Sequence, residues 1–173
     1  MQKPEMEKQS IETIVAALNG HQVRYLIVGG LAVIAHGHGR LTMDVDLMLA
    51  MDAENLRRVV AALKSLDYRP RVPVAFEDFI YPQKREQWAR EKNMAVFSVH
   101  SPTHPTAAID LFLENPVDFE AGYSNALHAE VAPGIPATFC SLDDLIAMKS
   151  KAARPRDLLD LEQLAYLKPD DTK

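Results

Sequence analysis

A mixed α+β fold, with a sheet of the α/β type, is predicted by three features of the chain. Apolar runs with a period of two alternate irregularly with runs at helical spacing. Glycine and proline pairs separate them, and the chain closes on two segments with clear helix-start signals. The 173 residues, 47% hydrophobic and 25% charged, suffice for one domain over 1–173 with a substantial core and a helical pair at about 141–168. Fraying is expected at about Met1–Glu5 and Pro169–Lys173.

Ile11, Ile14, Val15 and Leu18 recur at helical spacing from about Glu5 to Leu18, and Asn19-Gly20 end that run. Val23–Val28 is a short apolar run that fits a buried strand, and Gly29-Gly30 open a short helix over Leu31–His36. Leu41–Ala50 alternates, with Met43, Val45, Leu47 and Leu49 on one face and Asp44, Asp46 and Met48 on the other. Asp52 is a natural N-cap for a helix from Ala53 to Leu66 whose inner stripe is Leu56, Val59, Val60 and Leu63. Arg69–Pro73 reads as a loop, and Phe76–Lys92 as mostly helical with an interruption at Pro82. Met94–His100 and Ala107–Leu113 read as strands joined by a turn at Ser101–Pro105. Leu127–Val131 and Ile135–Phe139 flank Pro133-Gly134 as a hairpin. Ser141-Leu-Asp-Asp144 starts a helix that runs to about Ala153, and Pro155 suits the first turn of a last helix ending near Leu167.

The formal net charge of −5 argues against a protein that grips nucleic acid over its whole surface. Cys140 is the single cysteine and has no partner for an internal disulfide; with no signal-like apolar segment near Met1, the chain reads as cytoplasmic. No run reaches the length of a membrane span, because Gly29-Gly30 divide Tyr25–Val28 from Leu31–Ala35.

The chemistry lies in the acids. Asp44 and Asp46 share one strand face, roughly 7 Å apart at Cα, and two ionised carboxylates so placed repel one another. A divalent cation relieves that repulsion, and Mg²⁺ prefers a few carboxylates together with substrate phosphates. A solvated strand face carrying two acids is the alternative. Gly29-Gly30, between a strand and a helix start, allow close backbone approach to a phosphate, or form a simple turn. Asp110, opposite in facing to Ile109, Leu111 and Leu113, offers a third acid that would complete a ligand set for two metals about 3.5–4 Å apart, or a salt-bridge partner.

Lys149 follows Leu142, Leu145 and Ile146 on one helical stripe, so it points inward and requires a phosphate or a carboxylate, unless it snorkels off the helix end. Arg154 is spaced to pair with Asp157 or to meet a ligand, and Arg40 to reach a phosphate or cap a turn. His36 and His38 sit among glycines with no third metal ligand nearby, which fits a helix end better than zinc. Lys84-Arg85, Trp88, Arg90 and Lys92 could touch nucleic acid, but Glu86 and Glu91 interrupt them and favour a solvated helix face.

The order Val28-Gly29-Gly30, thirteen residues, Asp44-Val45-Asp46 and a later strand acid at Asp110 resembles the signature of the nucleotidyltransferase superfamily with the polymerase-beta-like fold. The fuller run Tyr25-Leu-Ile-Val-Gly-Gly-Leu-Ala32 … His36 … Arg40-Leu-Thr42-Met-Asp44-Val-Asp46-Leu47 most resembles its small AbiEii-like branch, known from toxin–antitoxin systems. Leu145-Ile-Ala-Met-Lys149 … Ala153-Arg154-Pro-Arg-Asp157 … Asp160 is similar to that branch's closing helices. The resemblance implies a nucleotidyltransferase fold with C-terminal helices, Mg²⁺ (or Mn²⁺) on Asp44, Asp46 and Asp110, and the triphosphate on Gly29-Gly30. It implies transfer of an NMP from an NTP to a hydroxyl on an acceptor such as tRNA or protein, Asp110 helping to activate the attacking group, with an antitoxin as a further partner. Family members commonly carry Ser at the second motif position; Gly30 leaves the cradling to backbone amides. Two rivals stand beside this reading. A non-catalytic nucleotide-binding regulatory module would keep the fold without turnover. A D-x-D glycosyltransferase would hold Mn²⁺ and a nucleotide-sugar, but gives no account of Gly29-Gly30 or Asp110.

Overall fold

The computed structural model describes residues 3–42 and 44–168; the expectations for Met43, for Met1 and Gln2, and for Pro169–Lys173 lie outside these. The elements follow as α1 (Lys3–Gly20), β1 (Tyr25–Val28), α2 (Gly29–Ala35), β2 (Asp44–Leu49), α3 (Ala53–Lys64) and β3 (Arg69–Pro70). After a 3₁₀ turn at Phe76–Ile80 come α4 (Pro82–Lys92), β4 (Val96–His100), β5 (Ala108–Phe112) and α5 (Phe119–Ser124). The hairpin β6 (Leu127–Ala132) and β7 (Ile135–Phe139) precedes α6 (Leu142–Ala152) and α7 (Pro155–Ala165). The mixed sheet and interleaved helices agree with the predicted class.

Among the described residues, seven strands stand in the order β3-β4-β5-β2-β1-β7-β6. β1 pairs antiparallel with β2 and parallel with β7, and β2 pairs parallel with β5. The outer pairs β3/β4, β4/β5 and β6/β7 are antiparallel. β1 is buried at every position, which explains its continuous apolar sequence: β2 and β7 flank it and α2 and α5 pack on it. α1 packs against α3, β6 and β7, and Ile14, Val15 and Leu18 of its inner stripe are buried. The stripe predicted on α3 is buried in full.

Local signals set the boundaries. Asp52 caps α3 by accepting from the Asn55 N–H at 2.9 Å, and Ser141 caps α6 by accepting from Asp144 N–H at 3.1 Å. Pro82 opens α4 rather than breaking a longer helix, so Phe76–Lys92 divides into a 3₁₀ turn and a helix. One expectation is corrected, and one helix was not foreseen. Arg69-Pro70, read as loop, form a short edge strand on His100 and Val99, where the missing proline N–H costs no ladder bond. The short helix α5, whose start Asp118 caps through Ala121 N–H, carried too brief a pattern to be anticipated.

One buried side chain fixes the strands that carry the site. Asn55, 3% exposed, accepts from Arg24 N–H at 2.8 Å and donates to the carbonyls of Arg24 and Ala50 at 3.0 and 2.9 Å. It therefore ties the start of β1 to the end of β2, holding the register that pairs Tyr25 with Leu49 and Val28 with Asp46. Among the described residues, no helix is long and apolar enough to cross a membrane. Asn55→Ala strands buried backbone groups at both strand ends, and a loss of about 3 kcal/mol is expected in urea unfolding.

Candidate active site

Register brings the acids together. Asp46 and Asp110 are Cα partners across the parallel β2/β5 ladder, and Asp44 faces Ala108 one step earlier. Alternation keeps Asp44 and Asp46 on one face of β2, with the apolar partners Val45 and Leu47 buried on the other. Asp44 is exposed and Asp46 half-buried, while Met48 further along the same face is fully covered. The site therefore sits at the N-terminal half of β2. Burial, then the charge of Asp110, then that of Asp44 push the Asp46 carboxyl up to about 6, against the pull of Arg154 and Lys149. The Ser98 hydroxyl, on the register partner of Asp110, donates to Asp110 Oδ1 at 2.5 Å. Sequence reasoning did not single out Ser98; its only signal was a small polar residue inside an apolar strand.

The glycine pair meets the acids from β1. Gly29 adopts φ +66°, and a Cβ on it would stand 2.1 Å from Asp46 Oδ2, so both backbone shape and space require glycine. A Cβ at Gly30 would approach Thr42 Oγ1 to 2.8 Å, which shows the loop before β2 packed directly over the start of α2. Val28 provides no side-chain cap to that helix start.

A buried ionic cluster forms the opposite wall. Lys149, 6% exposed, points inward as predicted, and its partner is a carboxylate: Nζ donates to Asp160 Oδ2 at 2.8 Å and lies 3.5 Å from Asp157 Oδ1. Arg40 pairs with the same Asp160 oxygen, so it neither caps a turn nor stands alone before a phosphate. Arg154 donates from Nε to Asp157 Oδ2 at 2.8 Å, the predicted i,i+3 pair, and its side chain remains 77% exposed. The three cations outnumber Asp157 and Asp160 by one charge. The buried Lys149–Asp160 pair is costly to break from either side, because the survivor is left charged in the interior. Asp160 is the central residue of this wall, and the sequence placed it only within a helix motif.

The weaker candidates are assigned structural tasks. His36 Nε2 donates to the Cys140 carbonyl at 2.8 Å, tying the end of α2 to the start of α6. Burial raises the Cys140 thiol to about 12, which leaves it inert. On α4, the predicted solvated face holds for Lys84, Arg90 and Lys92, but Arg85 and Trp88 are buried. Arg85 donates to the Phe79 and Ile80 carbonyls, and Trp88 stacks on Phe97 with centroids 5.1 Å apart.

All eight predicted site residues, Gly29, Gly30, Arg40, Asp44, Asp46, Asp110, Lys149 and Arg154, line one cavity of about 900 Å³. Among the described residues, no three His, Cys, Asp or Glu side chains are already drawn together into a metal site. The chemistry of the donor set nevertheless fits a divalent cation: three neighbouring carboxylates line the cavity, and burial and the other two acids push the Asp46 carboxyl up to about 6.

A sheet with paired acids on β2, a third on β5 and a glycine pair after β1 defines the nucleotidyltransferase class. The chain belongs to the family described as "nucleotidyltransferase of unknown function (DUF6036)", which matches residues 8–171. That description carries the superfamily's activity and not the AbiEii name. No curated protein matches in sequence. Among solved structures, the chain is similar to the antibiotic-resistance factor ANT(2″)-Ia, at TM-score 0.60 and 16% identity over 96% of this chain and 85% of that one. It is also similar to the lincosamide antibiotic adenylyltransferase LnuA, at 0.57 and 14% over 90% and 94%. An antigenic nucleotidyltransferase-like protein from Paracoccidioides brasiliensis follows at 0.58 and 15% over 94% and 77%. These likenesses are of fold. The protein is an enzyme of the transferase class.

Asp46 makes the site a source of instability. A carboxyl with a folded pKa about 6, above its ordinary 3.8, contributes no penalty below about pH 4, where it is protonated folded or unfolded. The penalty grows as pH rises from about 4 to about 6 and then stays, at on the order of 2–3 kcal/mol. Asp46→Asn is expected to raise the melting temperature at pH 7.5 by several degrees and to flatten its fall between about pH 4 and 6. Calorimetry across that range provides the check.

Proposed function

We propose that the cavity binds a metal–NTP complex and transfers its NMP to a hydroxyl acceptor. The observation that carries this reading is the register of Asp46 with Asp110, with Gly29 held against Asp46 by a glycine-only contact. Asp44, Asp46 and Asp110 would hold Mg²⁺, with Mn²⁺ as the alternative. Bound there, the metal supplies charge neutralisation for the phosphates and a lower pKa for the acceptor hydroxyl. The amides of Gly29-Gly30 cradle the triphosphate. Arg154, the most exposed of the three cations, reaches its outer phosphates, and Arg40 and Lys149 lend the donors that Asp160 leaves unused.

In the transfer, the acceptor oxygen bonds to the α-phosphorus, the bond from that phosphorus to the bridging oxygen breaks, and pyrophosphate leaves. Asp110 takes the acceptor's proton. Ser98, by donating to Oδ1, keeps the other carboxylate oxygen turned to the acceptor. The structural neighbours include an ANT(2″)-Ia complex with adenylyl-2″-tobramycin and a lincomycin-bound LnuA, which supports adenylyl transfer to a small molecule on this fold. The AbiEii-like motif supports instead a toxin-type transfer to RNA or protein in the cytoplasm, under control of an antitoxin partner.

Incubation with each α-labelled NTP, Mg²⁺ and cell lysate is expected to label an acceptor and release pyrophosphate. Asp44→Ala/Asp46→Ala should abolish both. Label that persists in the double variant would sink the site.

A further inference from the structure

The cavity differs on the two sides of its acids. Sheet order sets β1, β2, β5 and β4 side by side, so the glycine pair after β1 and the strand β4 flank the acids from opposite directions. The lining on the β1 side is polar, with Arg40 and Thr42 beside the glycines. On the β4 side it is apolar. Phe112 lies two residues beyond Asp110 on the same face, and Val96 is its register partner on β4. Ala95 and Pro116 continue that surface, and Met148 faces the cavity from α6. Phe112, Val96, Pro116 and Met148 are half-buried and retain accessible apolar surface.

With a metal held on the three site acids, the unpaired charges left in the cavity lining are positive. Lys151 and Arg156 line the cavity from α6 and α7, both exposed. The lining carboxylates are the three site acids and Asp157, which Arg154 and Lys149 already engage. With Mg²⁺ on the three site acids, a polycation would meet Lys151 and Arg156 without a free acid, whereas an apolar body would bury its surface on Phe112 and Val96. The cavity volume of about 900 Å³ falls on the scale of small-molecule sites.

We infer that this shelf binds the acceptor, and that the acceptor is a small hydroxyl compound with an apolar body and no excess of positive charge. The inference rests on the transferase reading for the shelf's role, but the shelf's chemistry can be measured separately. Two probes suit it: phenyl β-D-glucoside, neutral and rich in hydroxyls on an aromatic body, and the polycation tobramycin.

Equilibrium binding of each is measured in Mg²⁺ for wild type, Phe112→Ala and Lys151→Glu/Arg156→Glu. The glucoside is expected to bind at least about tenfold more tightly than tobramycin, the scale of one buried apolar group. Phe112→Ala, which adds no charge beside the site acids, should remove that advantage and leave the affinity for each Mg–NTP unchanged. Reversal of the two exposed charges, which leaves the core intact, should move the preference toward tobramycin. Tobramycin binding as tightly as the glucoside to wild type overturns the inference. So does a Phe112→Ala variant that loses nucleotide instead of glucoside, since the shelf would then hold the nucleobase. A wild-type protein that binds the glucoside but no Mg–NTP would sink the transferase reading and leave the shelf standing.

Discussion

Asp46 and Asp110 stand opposite one another because β2 and β5 run parallel in a fixed register, and the surrounding structure accommodates the repulsion that follows. The ladder holds their backbones at neighbouring-strand distance whatever their charge, so the carboxylates cannot separate by a change of loop. Burial on the sheet face makes the conflict worse, and the Asp46 carboxyl rises to about 6 as a result. The sheet can sustain such a pair because Val45, Leu47, Ile109 and Leu111, on the far side of the same strands, are almost completely removed from water. Stability supplied by one face is in part spent by the other.

The closing helices answer the acids with opposite charge, though indirectly. Lys149 is drawn inward and kept there by Asp160, which also draws Arg40 from the loop before β2. One carboxylate on α7 thereby joins two elements far apart in the chain, and the acid-bearing strand begins a few residues after the anchored arginine. The wall keeps a single surplus positive charge. Its most exposed member is Arg154, whose partner Asp157 is buried.

Much of this was legible in the residues because it depends on local pattern. Alternation in Leu41–Ala50 and Ala107–Leu113 put Asp44, Asp46 and Asp110 on strand faces, and helical spacing turned Lys149 inward. Caps at Asp52 and Ser141 fixed two helix starts. What was not legible depends on pairing between distant segments. No local pattern reveals that Asp160 lies beneath both Arg40 and Lys149, or that Ser98 meets Asp110 across a ladder. Trp88 and Arg85 were misplaced for a related reason: a polar, weakly patterned helix says little about which residues its neighbours cover. The edge pairing of Arg69-Pro70 needed β4 to exist before it could be recognised.

The contact between Gly29 and Asp46 joins two positions into one hereditary unit. A side chain at 29 would lie 2.1 Å from Asp46 Oδ2, so the glycine cannot be exchanged while the acid keeps its place. The reverse is not true, since a smaller residue at 46 would open the space. Descendants that abandon the chemistry should therefore lose the acid before the glycine. A chain with glycine retained and the acid gone would mark the first step of that decay.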